Sequence, residues 1–230
     1  MKKLFSITLI LVLFFSCSDE FKKRYKAAKR LSKSEKMEDW EKAIEKYDEI
    51  IKMKVNAREY QALLYRKLGK RHLEMEHWND ALYNFKKAAE ILPNEGILHY
   101  YIGICYSQLS RSVIDNNKKI ELIKLAEKEY KLSLKLTPDL IDPLYGLGII
   151  YFYIWNDYKK GIEYMAEVLK KDPRNIDAHF ALARFYYEIG EPVKSLEFYK
   201  ALLSLLPKRS PRLEKVKENI SRIYQELQSG

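Results

Sequence analysis

The stretch IDAHFALARFYYEIGEPVKSLEFYKALLSLLP, residues 176–207, decides the fold. Tyr186 follows Leu182 and Ala183 at spacings of four and three, and Ser195, Tyr199 and Leu202 repeat those spacings, so the stretch predicts two short helices closed by Pro207. Each helix shows a single apolar stripe and has too little partner surface within the stretch to bury it. Such a unit becomes stable by stacking against copies of itself.

Copies are present upstream. Tyr65, Leu68, Gly69 and His72 are followed by Trp78, Ala81, Phe85, Ala88 and Pro93. Ile102, Gly103 and Tyr106 precede Ala126, Tyr130, Ser133 and Pro138; Leu147, Gly148 and Tyr151 precede Gly161, Met165, Val168 and Pro173. The closing prolines 93, 138, 173 and 207 stand 45, 35 and 34 residues apart. This pattern resembles the tetratricopeptide repeat, with an aromatic, Leu-Gly and a Tyr, replaced at one copy by His72, on the first helix, then Ala, an aromatic, Ala and a closing Pro on the second. The resemblance implies an all-α, right-handed superhelical solenoid of about five helix-turn-helix repeats, at about residues 24–57, 62–95, 96–140, 141–175 and 176–209. Gly69 and Ala81 would let two backbones approach, and Phe85 would fill the space between repeats.

The long interval places an insertion of about 11 residues in the third repeat, around residues 110–124. Asp115-Asn116-Asn117 is its expected turn. Either both helices are longer there, or a helical hairpin protrudes. The first repeat reads from Phe21, Ala27, Ala28 and Leu31, then Trp40, Ala43, Ile44, Tyr47, Ile50 and Ile51. Asn56 with Glu59 has capping-box spacing, and Asp142-Pro143 predicts a cap followed by a first-turn proline. Residues 210–230 carry Leu213, Val216, Ile220, Ile223 and Leu227 on one face, the pattern of a terminal capping helix. A coiled-coil seam is the alternative, for which the periodic run is short.

Composition agrees with helices. The 230 residues include only 8 Gly and 7 Pro, while 18 Tyr and 9 Phe make the packing strongly aromatic. A hydrophobic content of 47% excludes disorder of the whole chain. Lys2 and Lys3 precede an apolar run over residues 4–15, followed by Ser16 and Cys17, which predicts an export signal over residues 1–16. Twelve helical residues reach only about 18 Å, short of a bilayer core of roughly 30 Å. Phe14-Phe15-Ser16-Cys17 resembles the relaxed lipoprotein box of spirochaetes, which implies a palmitate-type lipid on Cys17 and a tether over residues 17–20. A cleaved signal with a chance cysteine, or an uncleaved anchor, is the other reading. Cys105, set within an apolar helix face, reads as a small buried hydrophobe.

The net charge of +10 falls to +8 without Lys2 and Lys3. Basic residues just behind Cys17 suit an anionic leaflet, and export argues against nucleic acid as the partner. No phosphate-binding glycine loop, nucleophile elbow or His-Glu-x-x-His sequence occurs, so neither catalysis nor a cofactor is expected. His72 and His77 stand five residues apart, about 140° around a helix, and would point away from each other. No metal site is therefore expected. His99 and His179 occupy aromatic packing slots.

Tetratricopeptide repeats commonly bind ligands on the inner face built by their first helices. Carried onto this sequence, that face contains Arg66 and Lys70, Tyr100 and Ile104, Tyr145, Ile149 and Phe152, and Phe180, Arg184 and Tyr187. The set is aromatic and aliphatic, with basic residues toward its ends. No first helix has the Lys or Arg followed four residues later by Asn that resembles a carboxylate clamp. The expectation is a non-enzymatic, lipid-anchored scaffold exported to a bacterial membrane surface, binding a protein or peptide segment in an apolar groove. A carrier of a small hydrophobic ligand, or a transporter-associated accessory protein, is the alternative.

Overall fold

The computed structural model describes residue 19 and residues 21–51 and 56–229. The proposed signal and Cys17 lie outside them. All regular structure among the described residues is helical. Helix α1 spans residues 21–31, and is followed by α2 (Met37–Ile51), α3 (Asn56–Glu74), α4 (Trp78–Ile91), α5 (Gly96–Arg111) and α6 (Asn116–Leu136). Then come α7 (Asp142–Tyr153), α8 (Tyr158–Lys171), α9 (Ile176–Glu188), α10 (Pro192–Leu205) and α11 (Pro211–Ser229). No helix among the described residues is long and apolar enough to cross a membrane.

The described residues form two compact units, one ending at Leu122 and the other beginning at Ile123. In the first, α2 packs on α3, α3 on α4 and α4 on α5. Its core joins Ala28 of α1 and Trp40, Ala43, Ile44, Tyr47 and Ile50 of α2 to Leu64 and Leu68 of α3. The close approach of α3 to α4 requires Gly69. A methyl group there would lie 2.8 Å from the ring of Phe85, which is fully buried and stacked on Tyr101 of α5 at 4.8 Å. Phe85 thus bridges one repeat to the next.

In the second unit α7 pairs with α8 and α9 with α10, while α8 meets α9 and α10 meets α11. Gly148 and Gly161 bring α7 and α8 together: a methyl on Gly148 would lie 2.7 Å from Met165, and one on Gly161 2.7 Å from Phe152. The breaks between helices follow from local chemistry. The carboxylate of Asp157 accepts from the Lys160 amide at 3.1 Å, and the side chain of Asn175 accepts from the Ala178 amide at 2.9 Å, satisfying first-turn N–H groups. Asp142 is itself the first residue of α7, with Ile141 before it, so it is not the expected cap. Pro143 and Pro192 open α7 and α10, where a missing N–H costs nothing. Gly190, at φ +76°, makes the left-handed turn between α9 and α10.

The insertion goes into helix length. Helices α5 and α6 have 16 and 21 residues, against 12 and 14 in α7 and α8. Asp115 starts α6, its carboxylate accepting from the Asn117 amide at 2.8 Å, and Asn116 and Asn117 are already helical. The C-terminal helix caps the stack: Val216 and Ile223 are fully buried against Ala183, Leu196, Tyr199 and Leu202.

Candidate functional site

Helices α7, α9 and α11 surround an open hollow of about 330 Å³ in the second unit. Tyr145, Ile149 and Tyr153 recur every four residues along α7 and form one wall. Phe180, Ala181, Arg184 and Phe185 of α9 and Tyr199 of α10 form the floor. Arg212, Lys215 and Asn219 come from α11, on the flank of that helix next to its buried Val216 and Ile223. Four residues expected on the inner face, Tyr145, Ile149, Phe180 and Arg184, are therefore together.

Two others from this unit stand elsewhere. Phe152 is only 1% exposed and stacks on Phe185 at 3.8 Å, with Met165 in the same cluster. It is a core residue, because it lies on the flank of α7 that packs on Met165 and Gly161 of α8 and Phe185 of α9, while Tyr153, on the other flank of the Tyr145–Ile149 line, reaches the hollow. Tyr187 is engaged by the cap: its hydroxyl donates to Glu226 at 2.8 Å, and the Arg222 guanidinium lies 5.1 Å from its ring centre. In the first unit Arg66 pairs with Glu95 at 3.0 Å, Lys70 lies over the Tyr101 ring at 5.1 Å, and Tyr100 and Ile104 are half-buried on α5. These four line no part of the hollow.

The hollow pairs an aromatic interior with a cationic rim. The Arg212 guanidinium lies 4.8 Å from the Phe180 ring centre and donates to Asp177 at 2.8 Å. Arg184 lies over Tyr153 at 5.3 Å and donates to Glu188 at 2.7 Å, while the Tyr153 hydroxyl donates to the same carboxylate at 3.1 Å. Lys215 has no acidic partner among the described residues. Burial, then the negative charge of Asp177, raises the Tyr145 phenol above its ordinary pKa against the opposing pull of Arg212. It stays protonated, and as no hydrogen bond to another described residue occupies it, it is a free donor facing the hollow. Tyr153 is raised too, first by burial.

The sequence reading missed Tyr153, Arg212, Lys215 and Asn219. Tyr153 could have been found by extending the four-residue spacing from Ile149. The α11 residues carried only a helical polar face, with no sign of which repeat it would overlie.

The histidine geometry also corrects the sequence expectation. Helix α3 ends at Glu74, Glu76 turns at φ +59°, and the chain folds back so that the rings of His72 and His77 lie 6.0 Å apart between centres. The 140° separation assumed one continuous helix. His179 and His99 do have packing and backbone roles: His179 bonds the Asn175 carbonyl at 2.8 Å beside Phe198, and His99 bonds the Pro93 carbonyl at 3.2 Å. Cys105 is buried, and burial pushes its thiol up to about 12, which makes it unreactive.

Helix pairs closed by proline and stacked through Gly, Ala and aromatic contacts define the tetratricopeptide-repeat fold. Residues 156–220 match the tetratricopeptide repeat family model. The chain is 24% identical to a TPR repeat-containing protein of the spirochaete Borreliella burgdorferi, over 98% of this chain and 99% of that one. Among solved structures it is similar to a thermophilic TPR protein of Thermus thermophilus, with a TM-score of 0.58 and 16% identity over 89% of this chain and 99% of that one. It is also similar to the pilF protein of Pseudomonas aeruginosa, with a TM-score of 0.59 and 19% identity over 74% of this chain and 71% of that one. That fold is consistent with a protein-interaction scaffold.

Proposed function

We propose that this chain is a non-enzymatic scaffold, exported and held to a bacterial membrane by lipid on Cys17, that grips an extended or helical segment of a partner protein in the α7–α9–α11 hollow. The observation that carries this reading is the chemistry of the hollow itself. Tyr145, Ile149, Tyr153 and Phe180 offer apolar surface, worth about 25 cal/mol for each Å² taken from water. Lys215 and the Tyr145 hydroxyl are donors beside it without a partner among the described residues. A segment that fits buries an aromatic or branched aliphatic side chain and sets an Asp, Glu or terminal carboxylate against Lys215.

The test measures binding of the full chain, kept in detergent, to fluorescent peptides with a Phe-Leu core flanked either by Glu or by Lys. Glu-flanked peptides should bind several-fold tighter at low salt, and Lys215→Glu should invert the preference; an exposed charge of this kind contributes about 0.2–1 kcal/mol. Equal binding of both peptide sets, unchanged by Lys215→Glu, would remove the hollow as a segment-binding site. Retention of a small apolar ligand by protein taken from its own cells would instead support the carrier reading.

A further inference from the structure

The α3–α4 hairpin carries a cluster that the binding hollow does not use. His72 comes from the last turn of α3, His77 from the residue preceding α4, and Asp80 from the first turn of α4. One ligating atom from each lies within 4.8 Å of the others. We propose that His72, His77 and Asp80 bind a divalent transition ion of the zinc class, clamping the end of one helix to the start of the next.

Three observations support the assignment. The donor set, two imidazoles and one carboxylate, is the set that zinc accepts with a water in the fourth position. The ligand spread is close to what such an ion needs: tetrahedral bonds of about 2.0–2.1 Å separate ligand atoms by roughly 3.4 Å, and His77 and Asp80 are exposed side chains able to close the difference by small rotations.

The second observation concerns His72. Its Nδ1 is buried and has no hydrogen-bond partner among the described residues. A buried ring nitrogen left unpaired costs stability, and an ion bound by that nitrogen removes the cost. In the repeat pattern this position is filled by tyrosine, whose ring packs equally well but brings no such nitrogen.

The third is the surrounding field. His72 and Asp80 line a hollow of about 510 Å³ with Glu41 and Glu45, and no Lys or Arg among the described residues lines it. Three carboxylates thus face one concavity and favour a cation. The positive end of α4 opposes it, which is where the Asp80 carboxylate is placed.

The experiment uses the full chain stripped by chelator and titrated with Zn²⁺ by calorimetry and with Co²⁺ by visible absorption. One equivalent of either ion should bind, with cobalt bands of low coordination number. His77→Ala and Asp80→Asn, both at exposed positions, should each weaken uptake by roughly tenfold or more, as should His72→Phe, which keeps the ring. Zn²⁺ should also slow amide exchange over residues 71–82 in the unsubstituted chain and not in His77→Ala. An unsubstituted chain that takes up no Zn²⁺, or a His77→Ala chain that binds it undiminished with helix content intact, overturns the site.

Discussion

Tyr47 is fully buried in the first unit, and its hydroxyl has no hydrogen-bond partner among the described residues. Burial, with Tyr25 and Tyr60 nearby, pushes that phenol up to about 12. The ring packs and the oxygen is a liability, so Tyr47→Phe should raise unfolding free energy by about 1 kcal/mol, read from denaturant midpoints at constant m-value. Phe152 presents the opposite case. As a core ring stacked on Phe185, its replacement by Ala should cost about 3–5 kcal/mol, which denaturant unfolding would show as a large fall in midpoint. A residue that only contacted a partner would leave stability nearly unchanged. Gly69→Ala should destabilise by about 1–3 kcal/mol, because Phe85 is held by Tyr101 and has little room to move from the added methyl.

At the scale of elements, α6 and α7 are tied by Glu127. Its carboxylate accepts from the Tyr151 hydroxyl at 2.6 Å, from the Trp155 indole at 2.9 Å and from the Lys131 ammonium. Burial pushes the Glu127 pKa up, but these hydrogen bonds and the charge of Lys131 outweigh it and hold the group below its ordinary value of 4.5. A lowered folded-state pKa means stability that is fully present above the ordinary carboxylate range and is lost as pH falls through the folded value. Glu127→Gln should therefore cost about 1–2 kcal/mol at pH 7 and flatten the dependence of stability on pH below about 4.5. Denaturant unfolding at several pH values checks both. The same elements show what sequence spacing could reach. The period of α7 made Tyr145 and Ile149 legible, whereas Phe152 and Tyr153 lie on either side of that line and only packing against α8 and α9 decides which of them is buried. The end of α3 at Glu74 was harder to read, since a non-glycine residue makes the left-handed turn there.

At the scale of the whole molecule, the proposed membrane attachment and the proposed partner binding can be tested separately. Cys17→Ala should move the protein from the detergent phase to the aqueous phase on phase partitioning, while peptide binding in the α7–α9–α11 hollow is retained; persistence in the detergent phase would make the N-terminal segment an ordinary anchor. Helix content, the repeat period and the paired helices were determined by the sequence alone, because they follow from spacings of three and four residues within each helix and of about 34 residues between copies outside the insertion. The place of the candidate groove was half legible for the same reason: Tyr145, Ile149, Phe180 and Arg184 follow from the face of a first helix. The tertiary structure decided the rest. Only the docking of α11 on α10 brings Arg212 and Lys215 over the aromatic floor, and only the turn at Glu76 brings His77 back to His72. Both depend on where a helix stops and which neighbour it meets, and these are settled by packing between elements, which no periodicity within a helix encodes.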